Sequence, residues 1–204
     1  DTIEDLANSV NYALILHKFE SHPISAYNLF IGNGLNKLLE RALPADQRNP
    51  DMVSMLREDF KRHYSQHAEE FTKPYPNIPE LLKTLSSNAF KLAVASNKYH
   101  SATEELVRKF FPEIDFCAVF GQRDGYPVKP NPGILEEIIQ IANVEKSDVL
   151  YVGDSGVDVA TAYNAKVDFV GVLWGFRPRK ELQEVGAHTF VESVEELEKV
   201  IFNS

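Results

Sequence analysis

The sequence predicts an α/β protein in which an all-helical block is followed by a doubly wound parallel sheet. Three observations carry this reading. Apolar residues in the first third repeat at helical spacing, and after a proline-rich junction the chain changes to short apolar runs alternating with helical stretches. No apolar run approaches the roughly 20 residues that cross a bilayer.

Helical spacing first shows at Leu6, Val10, Ala13, Leu14 and Leu16, then at Leu35, Leu38, Leu39 and Leu43, then at Met52, Met55, Leu56 and Phe60. Turn chemistry separates these runs at His22-Pro23, at Gly32-Asn33-Gly34 and between Pro44 and Pro50. The stripes are expected to pack helix on helix. Pro74-Tyr75-Pro76-Asn77-Ile78-Pro79 is a stiff junction, with Pro79 suited to the first turn of a helix over Glu80 to Ser86.

The second part reads as strand Leu92 to Ala95, helix Ala102 to Phe110, strand Phe116 to Phe120, helix Pro132 to Ala142 and strand Val149 to Val152. A helix over Val157 to Ala165, strand Phe169 to Leu173, helix Arg179 to Val185, a short strand at Thr189 to Val191 and helix Val194 to Ile201 complete it. The expected division is 1–74 for the helical block and 75–204 for the sheet.

At 204 residues and 44% hydrophobic, the chain has enough apolar mass for one large domain or two small ones. No charged start leads into an apolar segment of signal-peptide type, so a soluble, cytoplasmic protein is expected. The formal charge of -9 argues against a nucleic-acid partner, which needs clustered Lys and Arg. An anionic ligand would have to be held by local cations. Cys117, the single cysteine, permits no intrachain disulfide and is expected to be buried as a small hydrophobe.

Ligands of open parallel sheets bind beyond the carboxyl ends of the strands, which directs attention to three positions. Ser96-Asn97-Lys98 offers a hydroxyl and backbone N–H groups that can hold a phosphate oxygen; the alternative is a strand-to-helix cap. Lys129-Pro130-Asn131-Pro132 fixes a lysine between prolines, where it can neutralise a phosphoryl group; the alternative is a surface lysine before a helix. Gly153-Asp154-Ser155-Gly156-Val157-Asp158 sets two acids four apart on one face at a helix start. Like charges at that spacing repel by about 0.2–0.5 kcal/mol, and a hard cation such as Mg2+ would reverse the sign. The alternative is that both acids favour the positive end of the helix dipole.

Taken in order, these three motifs resemble the second, third and fourth motifs of the haloacid dehalogenase superfamily. Ile31-Gly32-Asn33-Gly34, Arg41-Ala42-Leu43 and Trp174-Gly175-Phe176-Arg177 add a likeness to its phosphoglycolate phosphatases. The resemblance covers essentially the whole chain. It implies a Rossmann-like doubly wound parallel sheet with an inserted α-helical cap domain, and hydrolysis of a small phosphorylated metabolite through an aspartyl-phosphate. Ser96 and the Asn97 backbone would hold phosphoryl oxygens and Lys129 would stabilise charge. Asp154 would bind Mg2+, with Asp158 supporting the metal shell. Asn33 and Arg177 are candidate substrate contacts, with a plain turn and a salt bridge as the alternatives.

The family's first motif, an Asp-x-Asp-Gly-Thr loop that carries the nucleophile, has no counterpart here, and Asp1-Thr2 resembles the residues just beyond it. The expectation is that the natural protein has this strand and loop upstream of Asp1, that residues 1–4 continue from it, and that the chain alone is inactive. Without that strand two sheet edges would be left unpaired. A sugar-phosphate mutase, a haloacid dehalogenase and a non-catalytic phosphate-binding module are the competing readings, and a monomer or homodimer is expected.

Overall fold

The structure, a computed structural model, describes residues 1–203. Its first part contains α1 (Ile3–Leu16), the short α2 (Tyr27–Phe30), α3 (Leu35–Ala42) and α4 (Pro50–His67). Each break falls where turn chemistry predicts it. Gly32 and Gly34 have φ of 111° and 83°, a region other residues enter only with strain, and they turn the chain into α3. Asn49 caps α4 by accepting from the Met52 N–H, with Pro50 in the first turn. The helices close over Val10, Leu14, Tyr27, Leu39, Leu56 and Phe60, with α1 and α4 packed along each other.

This cap is fastened at its base by one buried carboxylate. Asp5, 1% exposed, accepts from the Phe71 N–H at 3.0 and 3.1 Å and from the Thr72 N–H at 2.8 Å. Asp5→Ala would orphan both donors, each costing about 1–3 kcal/mol when buried. We expect a loss of about 2–4 kcal/mol in urea unfolding, with Asp5→Asn losing less because it keeps an acceptor. A loss below about 1 kcal/mol for Asp5→Ala would refute this account of how the cap is fastened.

The second part runs α5 (Ile78–Ser87), β1 (Leu92–Tyr99), α6 (His100–Phe110), β2 (Phe116–Gln122), α7 (Gly133–Ala142), β3 (Leu150–Gly153) and α8 (Gly156–Ala165). It ends with β4 (Asp168–Val172), α9 (Arg179–Glu184), β5 (Phe190–Val191) and α10 (Val194–Phe202). Every strand pairing is parallel, as the alternation of strands and helices predicts. The sheet, however, is in two pieces, β1–β2 and β3–β4–β5. β1 and β3 share cores without sharing a ladder: Leu92, Leu150 and Val152 pack with Leu81 and Val170, and Ala95 and Tyr151 pack with Ile134 and Leu135. A side chain bridges them, since the Lys129 ammonium donates to the Ala95 carbonyl of β1 and to the Tyr151 hydroxyl of β3.

Two local expectations are corrected. β1 runs past Ala95 to Tyr99 through a register shift, because Tyr99 regains a partner in Gln122, so Ser96, Asn97 and Lys98 lie within an irregular strand end. Cys117 is half-buried, because among the described residues β2 pairs only with β1 and successive side chains face opposite sides, which gives the interior to Ala118. Among the described residues no helix is long and apolar enough to cross a membrane.

Candidate active site

The ends of β1 and β3, the loop before α7 and the cap turn at Gly32 converge on one cavity of about 540 Å³. Its floor is a buried ionic knot. Lys129, 8% exposed, donates from Nζ to Asp158 Oδ1 at 2.7 Å, to the Tyr151 hydroxyl at 2.9 Å and to the Ala95 carbonyl at 3.0 Å. All three ammonium hydrogens are thereby used. Tyr151 donates on to the same Asp158 oxygen at 2.9 Å. Burial works against the Lys129 ammonium, but Tyr151 and Asp158 outweigh it and hold the group above its ordinary range. Burial alone would also raise Asp158; Lys129 beside it reverses the sign and keeps the carboxylate ionised.

The two acids of the fourth motif are not equivalent. α8 starts at Gly156 with Ser155 as its N-cap, and Ser155 and Asp158 close a capping box. Asp158 Oδ2 accepts from the Ser155 hydroxyl at 2.6 Å and the Ser155 N–H at 3.2 Å, so its side chain folds back towards the strand end. Gly153 makes this possible: a Cβ there would lie 2.4 Å from the Asp158 Cβ. Asp154 precedes the cap and is outside the helix, so the two acids do not share a helical face as the spacing suggested.

Asp154 accepts from the Phe176 N–H at 2.8 Å and makes no ion pair among the described residues. Burial raises its pKa, Asp158 adds to the effect, and Lys129 and the Phe176 N–H offset only part of it. A half-buried carboxylate with this imbalance suits a cation. Among the described residues no three His, Cys, Asp or Glu side chains gather as a metal cluster, which disfavours the four-ligand sites of structural zinc. Mg2+ fits better, since it is held by one or two carboxylates with waters and phosphate oxygens completing the shell.

The remaining predicted residues divide by role. Ser96 lines the cavity; its Oγ accepts from the Lys98 N–H at 3.0 Å, leaving the hydroxyl hydrogen for a ligand. The Asn97 side chain is fully occupied: Nδ2 donates to the Gly32 and Lys129 carbonyls at 2.9 and 3.0 Å, and Oδ1 accepts from the Lys129 N–H at 2.8 Å. It fastens the lysine loop to the cap turn. Arg177 lines the cavity, but its Nη2 donates to the Ile31 carbonyl at 3.0 Å and its Nε lies 3.6 Å from Glu181. Asn33 does not line the cavity and accepts from Arg41 at 2.7 Å.

Three participants have roles that no side-chain pattern in the sequence marks. Tyr151 sits in an apolar strand, Tyr64 comes from α4 far along the chain, and the Phe176 contribution is a backbone N–H. The capping box was missed, although Ser155 followed three residues later by an acid was a signal that could have found it.

Residues 1–172 match the family described as haloacid dehalogenase-like hydrolase. A phosphoglycolate phosphatase of Mesorhizobium japonicum is 30% identical over 98% of this chain and 91% of its own length. A phosphoglycolate phosphatase of Aquifex aeolicus is 31% identical over 86% of this chain and 80% of its own length. A crystal structure from Lactobacillus delbrueckii subsp. bulgaricus superposes with a TM-score of 0.92 at 31% identity, covering 98% of this chain and 92% of that one. The Rossmann-like core and the helical cap agree with these matches, and the chain belongs to the haloacid dehalogenase-like hydrolases.

Proposed function

We propose that this protein is a magnesium-dependent phosphatase acting on small phosphorylated metabolites, with 2-phosphoglycolate as the leading substrate. The observation that carries the reading is the pairing of two unlike acids: Asp158 neutralised by Lys129, and Asp154 beside it without a cation. A site that only bound phosphate would gain nothing from a second buried anion. The phosphoglycolate assignment takes its support from the names of the relatives.

In this reading the Ser96 hydroxyl and the Asn97 backbone N–H bind phosphoryl oxygens. Lys129 keeps positive charge at the phosphoryl position while orienting Asp158. Asp154 holds Mg2+, with Asp158 ordering the surrounding shell through Ser155. Bound Mg2+ would neutralise charge developing on the phosphoryl oxygens. The carboxylates lining the cavity are Glu69, Glu105, Asp154 and Asp158. An aspartyl-phosphate needs an aspartate, Asp158 is locked by hydrogen bonds and Asp154 is given to the metal, so the attacking group of that scheme is assigned to none of them.

The test is phosphate release from 2-phosphoglycolate by the protein expressed from its native gene. Removing Mg2+ with a chelator is expected to slow release by about 10²–10³-fold, and restoring it to recover the rate, in keeping with several kcal/mol of charge stabilisation. Release that persists unchanged in chelator would overturn the metal assignment. Halide release from a 2-haloacid without phosphate release would favour the dehalogenase reading.

A further inference from the structure

Four cationic side chains line the cavity, and three of them are already engaged by the protein. Lys129 is paired with Asp158, Arg177 with Glu181 and the Ile31 carbonyl, and Lys61 with Glu58 at 4.0 Å while lying over the Tyr99 ring. Lys98 differs, because it makes no ion pair among the described residues. Its ammonium donates to the Tyr64 hydroxyl at 2.7 Å and lies 4.8 Å from the centre of that ring. One of its three hydrogens is used on a neutral oxygen, which leaves two for a ligand.

Tyr64 is held for the same purpose. It is 5% exposed and stacks on Phe60 at 5.1 Å, so its rotamer is fixed by the cap core. Its oxygen accepts from Lys98, and its own hydrogen has no acceptor among the described residues. Burial pulls Lys98 down to about 8, with Asp5 offsetting a part, and burial pushes the Tyr64 hydroxyl upward. At neutral pH the lysine therefore remains charged and the tyrosine keeps its proton. Asp5, the carboxylate that acts on the lysine, is already held by the Phe71 and Thr72 N–H groups and makes no ion pair with it, so an anionic ligand would relieve a cation partly withdrawn from water.

The charges narrow the class of ligand. The cavity holds Lys129 at the proposed phosphoryl position and Lys98 with two donors unused, while Leu6, Leu35, Leu38, Phe60 and Leu106 give it apolar wall beside polar side chains such as Ser65, Gln66 and Ser101. A compact skeleton with charge at both ends would use both cationic positions. We propose that Lys98 and Tyr64 form a subsite for a second anionic group, a carboxylate carried on the same short carbon chain as the phosphate. The inference rests on the phosphate-site reading and extends it by assigning the residues that select phosphorylated carboxylates over neutral phosphate esters.

The experiment is calorimetric binding of 2-phosphoglycolate and of ethyl phosphate, in which a methyl replaces the carboxylate, each in chelator so that turnover is slow during the titration. It compares the wild type with Lys98→Met and Tyr64→Phe. The wild type is expected to prefer 2-phosphoglycolate by about 30-fold or more, the scale of two to three charge-assisted hydrogen bonds, and Lys98→Met to reduce that ratio below about threefold. Tyr64→Phe should reduce it by an intermediate factor. The melting temperature of Lys98→Met should equal or exceed that of the wild type, because an unpaired cation has been removed.

A preference that survives Lys98→Met, or a lowered melting temperature with both esters weakened equally, overturns the subsite and makes Lys98 a structural residue. Binding of both esters by the wild type with no preference overturns the subsite and leaves the phosphatase reading standing. Failure of both esters to bind overturns both readings.

Discussion

Lys129→Met abolishes phosphate release and lowers stability by about 3–5 kcal/mol in urea unfolding, the scale for breaking a buried pair by removing one partner. The reason is what remains behind. Asp158 would keep its hydrogen bonds from Ser155 and Tyr151 but lose the only cation in contact with it among the described residues, at a position 6% exposed. The Ala95 carbonyl would lose its donor at the same time, and so would the bridge between β1 and β3.

A second substitution separates the two effects. In Lys129→Met with Asp158→Asn, no uncompensated charge is buried, so most of the lost stability should return while activity stays absent. Asp158→Asn alone should destabilise too, because it leaves Lys129 buried without its carboxylate. Single losses that merely add in the double variant would show that the pair is not coupled, and would sink this account of the knot.

The contrast between Lys129 and Lys98 explains why one was legible in the sequence and the other was not. Lys129 is marked by its own neighbours, since Pro130 and Pro132 announce a fixed loop placed after a strand. Lys98 follows Ser96-Asn97 and looks like a solvated residue entering a helix; its meaning comes from Tyr64, contributed across the cap interface. Helical spacing gave the cap, because each helix buries one stripe that recurs locally. Strand alternation gave the parallel order, but the division into two sheets depends on contacts between segments that spacing does not report. Asn97 shows the same limit: the type of residue was right for a site, while its side chain turned out to tie the lysine loop to Gly32.

Gly175→Ala raises the Mg2+ concentration for half-maximal activity by about 10–100-fold, the range found when an outer partner of a metal ligand is disturbed. The glycine is required by proximity. A Cβ at position 175 would lie 2.2 Å from Asp154 Oδ2 and 2.3 Å from its Cβ, distances that no packed structure tolerates. Either Asp154 swings away or the segment carrying Gly175 retreats. Both movements stretch the hydrogen bond from the Phe176 N–H, which is the contact that now aims the carboxylate.

No hydrogen bond or ion pair of the Lys129, Asp158 and Ser155 knot involves position 175, so the fold should lose no more than about 1–3 kcal/mol, the usual cost of overpacking. The defect should therefore appear as weakened metal activation that excess Mg2+ restores, in contrast to Lys129→Met, which no metal concentration rescues. Titration of activity against Mg2+ separates the cases. An unchanged half-saturation point in Gly175→Ala would mean that Asp154 is not the carboxylate that holds the metal.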